Sequence, residues 1–454
     1  MFTRETELHR VEELYKHPDN GIAVVYGRTD CEKEQLLMQF TEHKKKFYYR
    51  CRQASPDWQR MMMAKEVASV FDVHLSQNTY DECFNRVKSG DPSKLVIIID
   101  EFQYALKKDP ELWESILRLK NKKLYPGPVL ILLCSSSVAF VEHELQDVLG
   151  ERAYHKIDHI MKINDLSFLE VVRMFPSYQV SECIKVYGIL GGVAGYLKQW
   201  YPSVSLKQNI CRLVLSPDGY LFQKAEQRIS SELRELSVYN TILAAIAAGN
   251  HKLNELYHVT GFSRAKISVY MKNLAAFDVV EKVIPFETGG WDNAKKGIYQ
   301  IKDTYINFWY RFVYPHLSDL YCMKPDKFYD VYIREELDSY LNHCFLNVCK
   351  EYLVLLGRIG KTPVPIHKIG SWIGKTGNVD IVAQDKVRNT VVGLCNWEQK
   401  EVTVEMLTQM FSNMKKAKIK AVHFYVFSAR GFSSEIKEIA KEDPRLELVD
   451  MNEL

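Results

Sequence analysis

Three unbroken apolar runs mark the first third of the chain: Ile22-Ala23-Val24-Val25-Tyr26, Leu95-Val96-Ile97-Ile98-Ile99 and Val129-Leu130-Ile131-Leu132-Leu133. None alternates with polar residues, and residues with helical spacing lie between them, as Leu36, Leu37 and Phe40 do after the first. This pattern predicts strands buried on both faces, joined by helices into a parallel sheet covered on each side. The runs end in polar residues: Gly27-Arg28, Asp100-Glu101 and Cys134-Ser135-Ser136-Ser137. Open α/β sheets bind ligands beyond the carboxyl ends of their strands, so these ends form one candidate crevice.

Farther along, the pattern turns helical from about Asp165 to Ser230, with a break at Gly191-Gly192. A tri-helical pattern follows: Val238–Ala248, Lys252–Val259, a turn at Gly261, and a helix from Ser263 to Ala276 that Ser263 can cap. With the β-rich segments Val279–Val283 and Gly297–Ile301 as two arms, this reads as a winged helix. Arg264, Lys266, Tyr270, Lys272 and Asn273 on the third helix supply donors for DNA phosphates or base edges; the alternative is a module that only packs against its neighbours. In the aromatic stretch Tyr305–Tyr332, a buried interdomain helix is the favoured reading over a platform for single-stranded bases. Beyond Glu335, a helix containing Phe345 and Tyr352 precedes strands at Val379–Val382, Thr390–Asn396 and Ala421–Phe427, with a helix from Ser433.

At 454 residues the chain is long enough for about three cores. Sixty Lys and Arg against 57 Asp and Glu leave a net charge of +3, so any basic surface for a polyanion has to be local. The N-terminal MFTRETELHR is charged rather than apolar, and no apolar run reaches the roughly 18 residues of a spanning helix. No membrane association is expected. Ten scattered cysteines without a C-x-x-C pair read as thiols of a reducing cytoplasm rather than as a zinc site.

The order of the motifs resembles the archaeal-type ATPase family within the AAA+ and STAND group of P-loop NTPases. The resemblance runs through Phe2-Thr3-Arg4-Glu5, Val25-Tyr26-Gly27-Arg28, Asp100-Glu101-Phe102, Ser135-Ser136, Leu190-Gly191-Gly192-Val193 and Tyr196-Leu197. It implies an α/β fold: a P-loop NTPase parallel-sheet domain (1–164), a helical lid (165–230), the winged helix (231–302), an aromatic connector (303–334) and a C-terminal α/β domain similar to PD-(D/E)XK nucleases (335–454). Ile369-Gly370-Ser371-Trp372 and Gly374-Lys375 carry part of the last likeness. The implied ligands are ATP and Mg2+. Gly27, Lys33, Glu34, Asp100 and Ser136 would be the binding residues, Asp100 the metal ligand, Glu101 the residue polarising water, and Lys156 the counterpart of a phosphate-sensing arginine.

Against that expectation the phosphate loop departs from G-x-x-x-x-G-K-[ST]. It reads Gly27-Arg28-Thr29-Asp30-Cys31-Glu32-Lys33-Glu34, with Glu32 for the second glycine and Glu34 for the hydroxyl residue. Three carboxylates then surround a site for a polyanion, at roughly 1 to 4 kcal/mol per unscreened like-charge pair. Tyr154-His155-Lys156 also replaces the family's Y-G-R, and lysine lacks arginine's bidentate fork. In the C-terminal domain Asp380 keeps the first acidic position, but Leu394-Cys395-Asn396 stands for E-x-K and Leu346 for a helix glutamate. Weak or lost ATP and magnesium binding, no nuclease activity, and a regulatory or scaffold role with an unknown protein partner are therefore expected. The alternatives are an active Mg-ATPase using Glu34, and a DNA-binding regulator acting through Arg264, Lys266 and Lys272.

Overall fold

The computed structural model describes residues 4–87, 93–121, 127–231, 233–286, 297–374 and 376–452. Phe2, Thr3 and Lys375 lie outside these residues, as does the segment 287–296 between the two β-rich segments expected to form a wing. The chain divides into two compact units, residues 1–165 with 193–195, and residues 166–192 with 196–454.

The first unit is built on strands β1 (Gly21–Tyr26), β2 (Lys46–Arg50), β3 (Leu95–Asp100), β4 (Val129–Ser135) and β5 (His159–Lys162), in the order β2-β3-β4-β1-β5. Every neighbouring pair is parallel. Helix α1 (Glu5–Lys16) precedes β1, and α2 (Lys33–Phe40) follows it after the loop 27–32. The apolar runs fill two cores. Ile22, Val24, Ile97, Ile99, Ile131 and Leu133 pack on one face, while Ala23, Val25, Val96, Ile98, Leu130 and Leu132 pack on the other. Unbroken hydrophobicity thus has a direct cause: both faces of the three inner strands are covered.

The second unit begins with helices and then holds the tri-helical module, Leu236–Ala247, Leu253–Thr260 and Arg264–Ala276. Gly261, at φ 70°, ends the second helix in the left-handed conformation that favours glycine. Ser263 caps the third by accepting from the Lys266 N–H. Strands β6 (Val280–Val283) and β7 (Ile298–Ile301) pair antiparallel. In the connector, Tyr305, Phe308, Trp309, Tyr310 and Phe312 are buried, so they serve as core rather than as a stacking platform. The C-terminal sheet adds β8 (Lys368–Ile373), β9 (Asn378–Gln384), β10 (Thr390–Asn396), β11 (His423–Ser428) and β12 (Leu446–Asp450), ordered β12-β11-β10-β9-β8. It is mixed: β10-β11-β12 are parallel, whereas β8-β9-β10 are antiparallel.

No helix among the described residues is long and apolar enough to cross a membrane. All ten cysteines are free.

Candidate nucleotide site

The carboxyl ends of β1, β3 and β4 bring the sequence-predicted residues together. Gly27 opens the loop, its N–H donating to the Ser135 carbonyl at 3.2 Å. A Cβ there would stand 2.6 Å from the Ile163 carbonyl oxygen and 2.9 Å from Cys31 Sγ, so only glycine fits without displacement. The loop is pinned at two further points. Arg4, fully buried, donates from Nε and Nη2 to the Cys31 carbonyl at 3.2 and 2.9 Å. The Gly195 N–H donates to the Asp30 carbonyl at 2.9 Å, and a Cβ on Gly195 would meet that oxygen at 2.8 Å. Gly195 therefore has a steric reason: the segment Val193–Gly195 seats directly against the phosphate loop.

The loop enters α2 through Glu32, which is buried and left-handed at φ 70° and ψ 22°. This is the backbone geometry for which the expected glycine is suited; a side chain there costs roughly 1 to 2 kcal/mol. Asp30 and Glu101 also have positive φ, so three of the seven such non-glycine residues among those described cluster here. Backbone strain of this kind concentrates at functional sites.

Lys33 lies at the centre. Its Nζ, 1% exposed, stands 3.6 Å from Asp100 Oδ1, 3.8 Å from Glu101 Oε1 and 3.9 Å from Glu34 Oε1. Neither Nζ nor Asp100 Oδ1 has a hydrogen-bond partner among the described residues. Burial works against the charged amine, but the fields of Asp100, Glu101 and Glu34 outweigh it and hold the Lys33 pKa above its ordinary value. Burial likewise opposes ionisation of Glu101, yet Lys33, Gln103 and Ser136 together keep its pKa lowered. Ser136 meets Glu101 Oε2 through its hydroxyl at 2.8 Å and its N–H at 3.3 Å, and Gln103 Nε2 donates to the same oxygen at 2.6 Å. Ser136 thus reaches the acid pair, as its position after β4 predicts.

Sequence reasoning missed two members of the site, both from β2. The Tyr48 hydroxyl donates to Asp100 Oδ2 at 2.7 Å, and Arg50 approaches Asp100 Oδ2 and Glu101 Oε1 at 3.7 Å each. The alternation in Lys46-Phe47-Tyr48-Tyr49-Arg50 was the available signal.

Lys156 is not among the residues brought together. It precedes β5, where the Asp158 N–H donates to the Ile22 carbonyl near the start of β1, so it sits toward the amino edge of the sheet, away from the crevice. The expectation that it senses a terminal phosphate finds no support within one chain, because a parallel β5 places its preceding residues at the wrong end.

Glu34, Asp100 and Glu101 present carboxylate oxygens within 4.8 Å of one another, the only convergent set of potential metal ligands among the described residues. Their chemistry suits a hard divalent cation. Lys33, however, already pairs with all three. The triphosphate fits less well: Glu32 fills the position where bare backbone should face it, and Glu34 supplies a carboxylate where a hydroxyl would serve. At the amino end of α2 these side chains also provide the negative charge that a helix terminus otherwise takes from a ligand.

In the second unit, Asp380 Oδ2 accepts from the Cys395 N–H at 2.9 Å. Burial raises its pKa, against the opposing pull of that bond and of Lys350. Lys350, one turn beyond Leu346 on the helix Leu337–Arg358, has its own pKa lowered by burial. Asp380 belongs to no group of three or more potential metal ligands among the described residues.

On the third helix of the tri-helical module the predicted donors are partly committed. The Tyr270 hydroxyl donates to Glu235 and Asn273 Nδ2 to the Tyr239 hydroxyl, the latter at 2.9 Å. Arg264 lies 4.2 Å over the Tyr257 ring and donates to Asn254, while Lys266 lies 4.8 Å from the Phe262 ring centroid. Lys272 is exposed.

A parallel sheet with a glycine-opened loop after its first strand, a buried lysine at the head of the next helix and an Asp-Glu pair at the end of β3 defines the α/β class of P-loop nucleotide-binding proteins. Within that class, residues 1–200 match the family described as an ATPase domain predominantly from Archaea. Residues 309–410 match a second family, described as Archaea bacterial proteins of unknown function. An uncharacterized protein of Methanocaldococcus jannaschii is 26% identical over 385 residues, 84% of this chain and 83% of that one. Among solved structures, the chain is similar to the Walker-type ATPase of Pyrococcus abyssi at 17% identity and a TM-score of 0.46, over 68% of this chain and 96% of that one. It is also similar to the ORC2 protein of Aeropyrum pernix, at 11% identity and a TM-score of 0.46, over 70% and 94% respectively.

Proposed function

We propose that this chain is a pseudo-ATPase, a regulatory or scaffold protein that keeps the ATPase architecture with weak or no ATP binding and hydrolysis. The observation that carries the reading is the pairing of Lys33 with Asp100, Glu101 and Glu34 at 3.6 to 3.9 Å, behind a loop whose second glycine position is a buried glutamate. Counted formally, Lys33 and Arg50 face Glu34, Asp100 and Glu101, leaving one net negative charge before Asp30 and Glu32 are added. A triphosphate entering this field has to break the lysine's pairs and meets repulsion in return. In a working site the same lysine would be spent on the phosphates.

Phosphate release from Mg-ATP by the full chain is expected to be no faster than release by an Asp100→Asn variant. Release near one turnover per second, roughly the low end for enzymes, and lost in that variant, would instead establish the active Mg-ATPase with Glu34 as a magnesium ligand.

Arg264 and Lys272 support a second reading, a winged-helix DNA-binding regulator, since eight residues place both on the exposed side of the third helix. That reading requires duplex affinity that falls steeply with salt, and a shallower slope when either residue is replaced by alanine. The commitment of Tyr270 and Asn273 to neighbours within the module leaves few donors for base edges, which is why the scaffold reading is preferred. For the C-terminal domain we infer a nuclease-like fold without cleavage, because among the described residues Asp380 belongs to no group of three potential metal ligands.

A further inference from the structure

We propose that Arg50 is a specificity-determining counter-ion that excludes divalent cations from the Asp100–Glu101 pair. This deepens the pseudo-ATPase reading and rests on taking the crevice as a disabled nucleotide site. Arg50 is the last residue of β2, and the parallel register sets it directly beside Asp100. Its Nε lies 3.7 Å from Asp100 Oδ2 and its Nη2 lies 3.7 Å from Glu101 Oε1. Both are ion pairs without a hydrogen bond.

The oxygens are already divided among partners. Glu101 Oε2 is taken by Gln103 and Ser136, and Asp100 Oδ2 by the Tyr48 hydroxyl. A cation therefore has to use Asp100 Oδ1, Glu101 Oε1 and Glu34 Oε1, the three atoms facing Lys33. Asp100 Oδ1 belongs to a fully buried side chain and accepts no hydrogen bond among the described residues, so it retains capacity for a ligand. Glu101 Oε1 is the oxygen that Lys33 and Arg50 share.

The two cations differ in one decisive respect. Lys33 is 1% exposed and fixed, whereas the Arg50 side chain is 56% exposed and loosely held, so it is the one free to swing into solvent. While it stays, it adds a second positive charge within 4 Å of the oxygen a cation needs. When it leaves, the acid pair faces a single counter-ion.

Mn2+ binding to the full chain, measured calorimetrically without nucleotide, tests this directly. Arg50→Gln and Arg50→Met, which both keep the length of the stem near the sheet, are expected to bind Mn2+ at least about tenfold more tightly than the native protein. The gain is expected to vanish in Arg50→Gln/Asp100→Asn. Folded variants that bind Mn2+ no more tightly than the native chain would overturn the proposal, as would a gain that survives the loss of Asp100. Because no nucleotide is present, either failure leaves the pseudo-ATPase reading to its own test; tight Mg-ATP binding by the native chain would remove that reading separately.

Discussion

Replacing Lys33 with methionine is expected to lower the melting temperature of the N-terminal unit by roughly 6 to 20 °C, corresponding to a loss of about 3 to 5 kcal/mol. The size follows from burial. Asp100 and Glu101 are 0% and 3% exposed, and among the described residues Lys33 is the one buried cation paired with both. Methionine fills the space of the stem but leaves two desolvated carboxylates beside each other and beside Glu34. Arg50, half in solvent and without a hydrogen bond to either, is too weakly held to replace the lysine. Adding Asp100→Asn to Lys33→Met is expected to recover part of the loss, because it removes one of the stranded charges. Circular dichroism melts of the three proteins decide the point: an unchanged melting temperature in Lys33→Met would mean that the lysine is not the counter-ion of the acid pair.

This prediction separates a scaffold from an enzyme at the level of design. A catalytic lysine has to be ready to exchange its partner for a phosphate. Here the lysine has three carboxylates, a buried amine and a pKa raised by its neighbours despite desolvation. The acid pair is shared further among Tyr48, Gln103, Ser136 and Arg50. The charges of the crevice are thus largely paired within the chain. Arg4 and Gly195 hold the phosphate loop from two sides.

How much of this was legible in the sequence depends on where each residue sits in a sheet. The inner strands β1, β3 and β4, and β9, β10 and β11 of the second sheet, announce themselves as apolar runs because neighbours cover them. The four strands that the pattern did not reveal, β2, β5, β8 and β12, are all sheet edges. An edge strand such as β5, with only Met161 buried, lacks the continuous hydrophobicity that marks a covered strand. Arg50 and Tyr48 were missed for the same reason, since the strand that carries them is an edge. Lys350 was missed differently: its approach to Asp380 spans thirty residues of chain and two elements, and no local spacing encodes it. By contrast, Gly27, Lys33, Glu34, Asp100, Glu101 and Ser136 follow a known order of elements, and the structure gathers all six. Lys156 shows the limit of motif order alone, because what matters is which end of β5 it occupies.

The second large effect concerns affinity. Glu32→Gly removes a side chain from a left-handed position, relieving roughly 1 to 2 kcal/mol of backbone strain, and uncovers backbone for phosphate. Glu34→Thr withdraws one of the three carboxylates around Lys33 and supplies a hydroxyl for magnesium. Each like-charge contact removed at a few ångströms is worth on the order of 1 to 4 kcal/mol, so together the two changes are expected to tighten Mg-ATP binding by at least about a hundredfold.

Calorimetric titration of Mg-ATP into the native chain and into the Glu32→Gly/Glu34→Thr variant tests the central claim most directly. The account predicts no measurable heat of binding for the native protein and micromolar binding by the variant. Micromolar binding by the native chain would contradict it and make the protein a divergent but working nucleotide binder.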